Sequence, residues 1–199
     1  MRTFILFARK AKTSPDFNLS DLAGSAGRMD LVCRCITASL WLSHGIRNDS
    51  EIIVILNGPP NPPVSIRFSG EKLSMLSVDE HSTASWIKKA LERDFDKEWL
   101  EMESGIKVSR KSFQEVIKEL KDRPIYVLHE KGKDIENVKI KENPVFVIGD
   151  HIGIPSKDEK FALRYGEKVS LGKNVYLASS CISVLNWILD NFNPIKSQS

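Results

Sequence analysis

The chain has 199 residues, 41% of them hydrophobic and 28% charged, with a net charge of +3. That is enough apolar material for one sizeable core, and it excludes disordered and collagen-like classes. No run approaches the roughly 20 apolar residues of a membrane-spanning helix. Three cysteines make an odd count, which predicts reduced thiols in a cytoplasmic protein and no disulfide framework.

The opening apolar run is too short for a signal peptide and lacks a cleavage site, so residues 3–8 read as a first strand. A long helix is predicted over 30–46. Strands follow at 51–57 and 64–68, joined by the rigid turn Asn57-Gly-Pro-Pro-Asn-Pro-Pro and therefore antiparallel. Trp86, Ala90 and Leu91 share one face of a helix over 82–94. Phe113, Val116, Ile117 and Leu120 do the same over 112–121. Strands are predicted at 125–129 and 144–149. Ser156 with Glu159 predicts a capping box on a short helix. A strand at 175–177 and a helix over 179–191 complete the pattern, and residues after Pro194 are expected to be loose. Strands alternating with helices predict an α/β fold with a mainly parallel sheet and helices on both faces. No domain boundary interrupts residues 1–199.

The charge is informative as a map. Residues 1–50 hold seven Lys and Arg against four acids, the whole excess of +3. Five of the ten arginines lie there, and arginine forks match phosphate well. Residues 71–103, with nine acids against five bases, make a poor nucleic-acid face.

Three segments could carry chemistry. In the first, Gly24 and Gly27 allow close backbone approach and lead into a helix start that can hold an anion. Arg28 follows, and Asp30 and Arg34 are spaced to meet on one helix face. The plain reading is a helix-entry loop with a solvated ion pair. In the second, a buried strand ends in Gly149-Asp150-His151, where open α/β sheets bind ligands. A tight turn explains Asp150 and His151 better than an acid/base pair. In the third, Leu171-Gly172-Lys173-Asn174-Val175-Tyr176 feeds the last helix. No glycine-rich nucleotide motif, serine-nucleophile elbow or ligand-spaced His/Cys set occurs, so no metal is expected.

The run Gly27-Arg-Met-Asp-Leu-Val-Cys-Arg-Cys-Ile-Thr-Ala-Ser-Leu-Trp-Leu-Ser-His-Gly-Ile-Arg resembles the signature of the archaeal tRNA pseudouridine N1-methyltransferase family, in the SPOUT superfamily of knotted methyltransferases. The Ile148-Gly-Asp-His and Leu171-Gly-x-x-x-Tyr segments stand where that superfamily places its cofactor loops. The resemblance implies a deep C-terminal trefoil knot at about 125–190, S-adenosylmethionine as cofactor, a homodimer, and N1-methylation of pseudouridine at position 54 of tRNA. It implies cofactor contacts at Leu128, Gly149, Leu171, Gly172, Lys173, Asn174, Val175, Tyr176 and Cys181. Asp30 and Arg28 become the candidate catalytic residues, and Arg28, Arg34 and Arg47 the candidate RNA contacts. A ribosomal pseudouridine N1-methyltransferase shares the expected fold and reaction, and the acidic 71–103 stretch favours tRNA over it. A non-catalytic RNA-binding module and a small-molecule methyltransferase would also be compatible with these residues.

Overall fold

The computed structural model describes residues 1–73 and 77–191. The expectation for residues after Pro194 lies outside them. Element by element, the chain forms β1 (Arg2–Ala8), α1 (Met29–Leu40), β2 (Trp41–Leu42), β3 (Gly45–Ile46), β4 (Ser50–Leu56), β5 (Val64–Ser69) and α2 (Glu80–Leu91). It continues through β6 (Leu100–Glu101), β7 (Ile106–Ser109), α3 (Phe113–Glu119), β8 (Ile125–Asp134), β9 (Val145–Gly149), α4 (Ser156–Ala162), β10 (Gly166–Ser170) and α5 (Ala178–Asn191).

Eight strands make one sheet in the order β10-β8-β9-β1-β4-β5-β7-β6. The first five in that order are parallel, and β5, β7 and β6 add antiparallel pairs. The expected antiparallel step across the proline turn is the β4–β5 pair. Every residue of β1 and of β4 is buried, which suits their continuous apolar runs between two helical layers. Strand alternation divides the core in two. Phe4 and Leu6 face α1, α2 and α5, and Ile5 and Phe7 face α3 and α4. Truncating Phe4, fully buried between Phe146 and the helical layer, would cost about 3–5 kcal/mol.

Local structure departs from expectation at three places. The predicted helix over 30–46 stops at Leu40, where Trp41 turns extended, and 41–46 become a small hairpin. Trp41 and Ile46 are still partly buried against the core, but as a cross-strand pair, so apolar spacing alone could not tell the two apart. Residues 175–177 are an exposed loop; the edge strand is β10, just upstream. The box expected at Ser156 is absent: Pro155 caps α4 without a side-chain bond, and Glu159 turns to Lys168 at 2.5 Å. A capping box forms instead on α3, between Ser112 and Glu115.

A clasp closes the N-terminal ends of the parallel strands. Arg2 pairs with Asp49 at 2.8 Å and Asp190 at 2.9 Å, and donates to the Asn186 side chain at 3.0 Å. Arg47 grips the same Asp190 at 2.8 Å. The end of α5 is thereby tied to β1 and to the approach to β4.

Candidate active site

The opposite, C-terminal ends of the strands bring the signature together. The β1–α1 connection is seated by two glycines. A side chain at Gly27 would lie 2.0 Å from the Lys10 carbonyl oxygen, and one at Gly58 would lie 2.2 Å from the same atom. The Lys10 carbonyl is thus enclosed by Gly27 and by the proline turn, which in sequence alone is only punctuation. Gly27 and Arg28 both take left-handed backbone angles, φ 65° and 69°. For Gly27 that is free; for Arg28 it carries strain that the surrounding loop must hold.

This turn aims Arg28 back at its own helix. Its Nε donates to Asp30 Oδ1 at 2.9 Å and its Nη2 to Oδ2 at 3.1 Å, a two-pronged grip. From one turn further along α1, Arg34 donates to Asp30 Oδ2 at 2.6 Å. Arg34 also reaches Glu80 on α2 at 3.3 Å, a partner 46 residues away that no local pattern signals. Burial alone would push the Asp30 carboxyl up. The hydrogen bonds and charges of Arg28 and Arg34 outweigh it and hold the group down at about 2. The carboxylate is nearly covered, yet the arginines around it keep 39% and 40% of their side-chain surface open.

Asp150 closes the β9–α4 turn. Its carboxylate accepts from the Ile152 amide at 2.9 Å and from the Arg9 amide at 2.7 Å, stitching the end of β9 to the exit of β1. Both oxygens are used in the turn, while its charge also favours the ionised Arg28 nearby. Gly149 is needed for this turn whatever else it does, since a side chain there would stand 2.7 Å from the Gly153 Cα.

The third segment lies beyond β10. Ser170 Oγ accepts from the Gly172 amide at 3.2 Å and donates to the Gly172 carbonyl at 2.9 Å. Gly172 itself has φ 102°. Among the described residues, no backbone–backbone hydrogen bond engages the amides of residues 173–176. Lys173, Asn174, Val175 and Tyr176 are exposed, whereas Leu128 and Leu171 pack partly against the core. Cys181, in the first turn of α5, directs its thiol to the Tyr176 carbonyl at 3.8 Å, and burial raises it to about 11. It is protonated at neutral pH, as is Cys35, which burial raises to about 12. Leu171 and Gly172 also line a cleft of about 750 Å³ between residues 134–140 and the outer side of α5; the other proposed cofactor residues do not.

Arg28, Asp30 and Arg34 therefore form one cluster, close to the ends of β9 and of the β10–α5 loop. Arg47 does not join it; it belongs to the clasp at the other end of the strands. Among the described residues, no group of His, Cys, Asp and Glu is arranged to hold a metal ion, and no helix is long and apolar enough to cross a membrane.

This α/β fold belongs to a family of RNA methyltransferases. Residues 1–193 match the family described as "Putative SAM-dependent RNA methyltransferase", and the chain belongs to it. It is 45% identical over 192 residues to a Methanocella arvoryzae protein named tRNA (pseudouridine(54)-N(1))-methyltransferase, covering 96% of this chain and 99% of that one. A Thermococcus kodakarensis protein of the same name is 45% identical over 197 residues, covering 96% and 99%. One from Methanococcus maripaludis is 44% identical over 195 residues, covering 96% and 98%. In fold, the chain is similar to Archaeoglobus fulgidus Nep1, solved with S-adenosylhomocysteine. The TM-score is 0.63 at 14% identity, covering 94% of this chain and 95% of that one. The resemblance carried by residues 27–47 is borne out at the level of the family.

Proposed function

We propose that this chain transfers a methyl group from S-adenosylmethionine to N1 of pseudouridine at position 54 of tRNA. The observation that carries the reading is the ionised Asp30 between two half-open arginines, in a chain 45% identical to relatives named for that reaction. The cofactor, when bound, supplies an electrophilic sulfonium methyl. The chain's task is then to hold N1 in line with it.

Asp30 suits orientation better than proton abstraction. A carboxyl held at about 2 is a weak base, but its fixed oxygen can accept a hydrogen bond from the ring's N3–H and set the ring's angle, leaving N1 open to the methyl. As the bond from N1 to the methyl carbon forms and that carbon's bond to sulfur breaks, the N1 proton passes to solvent, and Arg28 and Arg34 remain to hold uracil carbonyls or phosphates. Arg47, locked to Asp190, has a structural part in this reading.

The residues present suit the cofactor. Unclaimed amides at 173–176 can meet the edge of adenine, Leu128 and Leu171 offer apolar contact, Gly149 lets the backbone pack closely, and Gly172 supplies a left-handed turn. The neutral thiol of Cys181 acts as packing. The proposed knot spans about 125–190 within one domain, 1–199. It is supported by the path of the chain: β8 and β9 are adjacent, β10 returns to the outer side of β8, and α5 then crosses back to pack on α1. A homodimer is supported by the apolar side chains exposed on the loop before α5, with Val175 80% and Leu177 69% exposed.

Mass spectrometry of tRNA incubated with the protein and labelled cofactor tests the reading. One methyl group on pseudouridine 54, and none on tRNA that was never pseudouridylated, is expected. Methylation of uridine at the same rate, or no transfer by a protein that binds the cofactor, overturns it.

A further inference from the structure

Arg34 has two sides. One nitrogen holds Asp30 at 2.6 Å and the other reaches Glu80 at 3.3 Å. Beyond Glu80 the surface falls into a depression of about 360 Å³, where the middle of α1 meets the first turns of α2 and α5. Its polar lining includes Arg34, Glu80, Thr37 and three serines from the start of α5, and its apolar lining is Val78 and Ala38. None of these residues is used in the reaction as described except Arg34.

The chemistry of this depression suits a flat heterocycle with both donors and acceptors on its edge. Glu80 offers a carboxylate to a ring or exocyclic N–H, while Arg34 and the Ser180 hydroxyl can donate to carbonyl oxygens or ring nitrogens; the Ser183 hydroxyl already donates to the Ser179 carbonyl at 3.1 Å. Val78, 56% exposed, and Ala38 offer contact to a ring face. A phosphate would meet the Glu80 charge, so an anion alone is disfavoured. The volume is enough to receive one base.

We infer that this depression is a subsite for a second, unstacked base of the RNA, next to the base presented to Asp30, with Glu80 accepting from its N–H edge. The inference rests on Asp30 facing the target base. Recognising a splayed-out neighbour would let the enzyme read RNA context in an unstacked loop, where base edges are free. Arg34 would then be the shared wall between the reacting base and the base that is read.

The test is a cycle between protein and RNA. Methyl transfer is measured for wild type and Glu80→Gln on a pseudouridine-containing T-arm hairpin, and on two hairpins abasic at the 5′ or 3′ neighbour. Glu80→Gln keeps a hydrogen-bonding group beside Arg34 but removes the charged acceptor. A roughly tenfold loss of kcat/KM, carried by KM, is expected on the intact hairpin, with no loss on one of the abasic hairpins. Val78→Trp, which fills the depression from an exposed position, should weaken binding of the intact hairpin at least tenfold and leave cofactor affinity unchanged. An equal Glu80→Gln effect on all three RNAs would show that Glu80 only holds Arg34, and would overturn the subsite. So would wild-type kinetics for both variants. If wild type binds cofactor but methylates none of the hairpins, the proposed function itself falls, which is a distinct result.

Discussion

Two clusters of arginine and carboxylate sit at opposite ends of the parallel strands and use the same ion pairs differently. At the N-terminal ends, Arg2 is only 5% exposed and Asp190 is gripped from two sides. At the C-terminal ends, Asp30 is gripped just as firmly, but by arginines about two-fifths exposed. The first cluster uses its charges to join α5 to β1. The second has satisfied its carboxylate while leaving guanidinium edges free for something outside the chain. Burial of the arginine, more than the presence of the pair, separates a structural clasp from a candidate site. In both, arginine partners pull the aspartate below its ordinary range against the cost of burial.

This contrast can be broken experimentally. The largest effect on stability is expected at the clasp. Asp190→Ala leaves the buried Arg2 with fewer partners and frees Arg47, and should cost about 3 kcal/mol. Thermal unfolding would show it as a fall in Tm of roughly 10 °C, with transfer rate per folded molecule little changed. Next is Asp30→Asn, expected to slow methyl transfer about 100-fold, the lower range for a positioned acid–base group, with cofactor affinity by calorimetry nearly unchanged.

Acid should weaken the open cluster in a defined window. Folding lowers the Asp30 carboxyl from 3.8 to about 2, so the unfolded chain takes up its proton first. The stability this supplies, on the order of 2 kcal/mol, is complete above about pH 4 and is lost as pH falls through about 2. Urea unfolding at pH 6 and near pH 2.5 should show that loss in wild type and a smaller one in Asp30→Asn. The smallest effect is electrostatic: Arg28→Ala should reduce the salt dependence of tRNA binding by about one phosphate's worth, a slope change near 0.7–0.9. Arg47→Ala should leave the slope as it is.

Part of this contrast is visible in the sequence. Asp30 and Arg34 stand four apart on a helix, so their meeting follows from helical geometry. The apolar runs of β1, β4 and β9 announce buried parallel strands, and the proline turn announces the antiparallel step. What stays hidden depends on distance along the chain. Glu80 meets Arg34 from another helix, Gly58 closes on Lys10 from beyond β4, and Arg47 finds Asp190 143 residues later. Counted by sequence, Arg47 belongs with Arg28 and Arg34, because charge density does not record which end of a strand a residue occupies. The apolar 175–177 run reads as a strand because exposure is not written in hydrophobicity. The periodic 41–46 run reads as helix because a hairpin can bury the same residues.

The most direct test of Asp30 as the positioning group is single-turnover methyl transfer to a pseudouridine-containing T-arm hairpin. Asp30→Asn and Asp190→Asn are compared side by side, corrected for folded fraction. The expected result is a loss of about 100-fold for Asp30→Asn, with cofactor still bound, and a rate close to wild type for Asp190→Asn. Near-wild-type transfer by Asp30→Asn, or equal losses in both, would contradict that role.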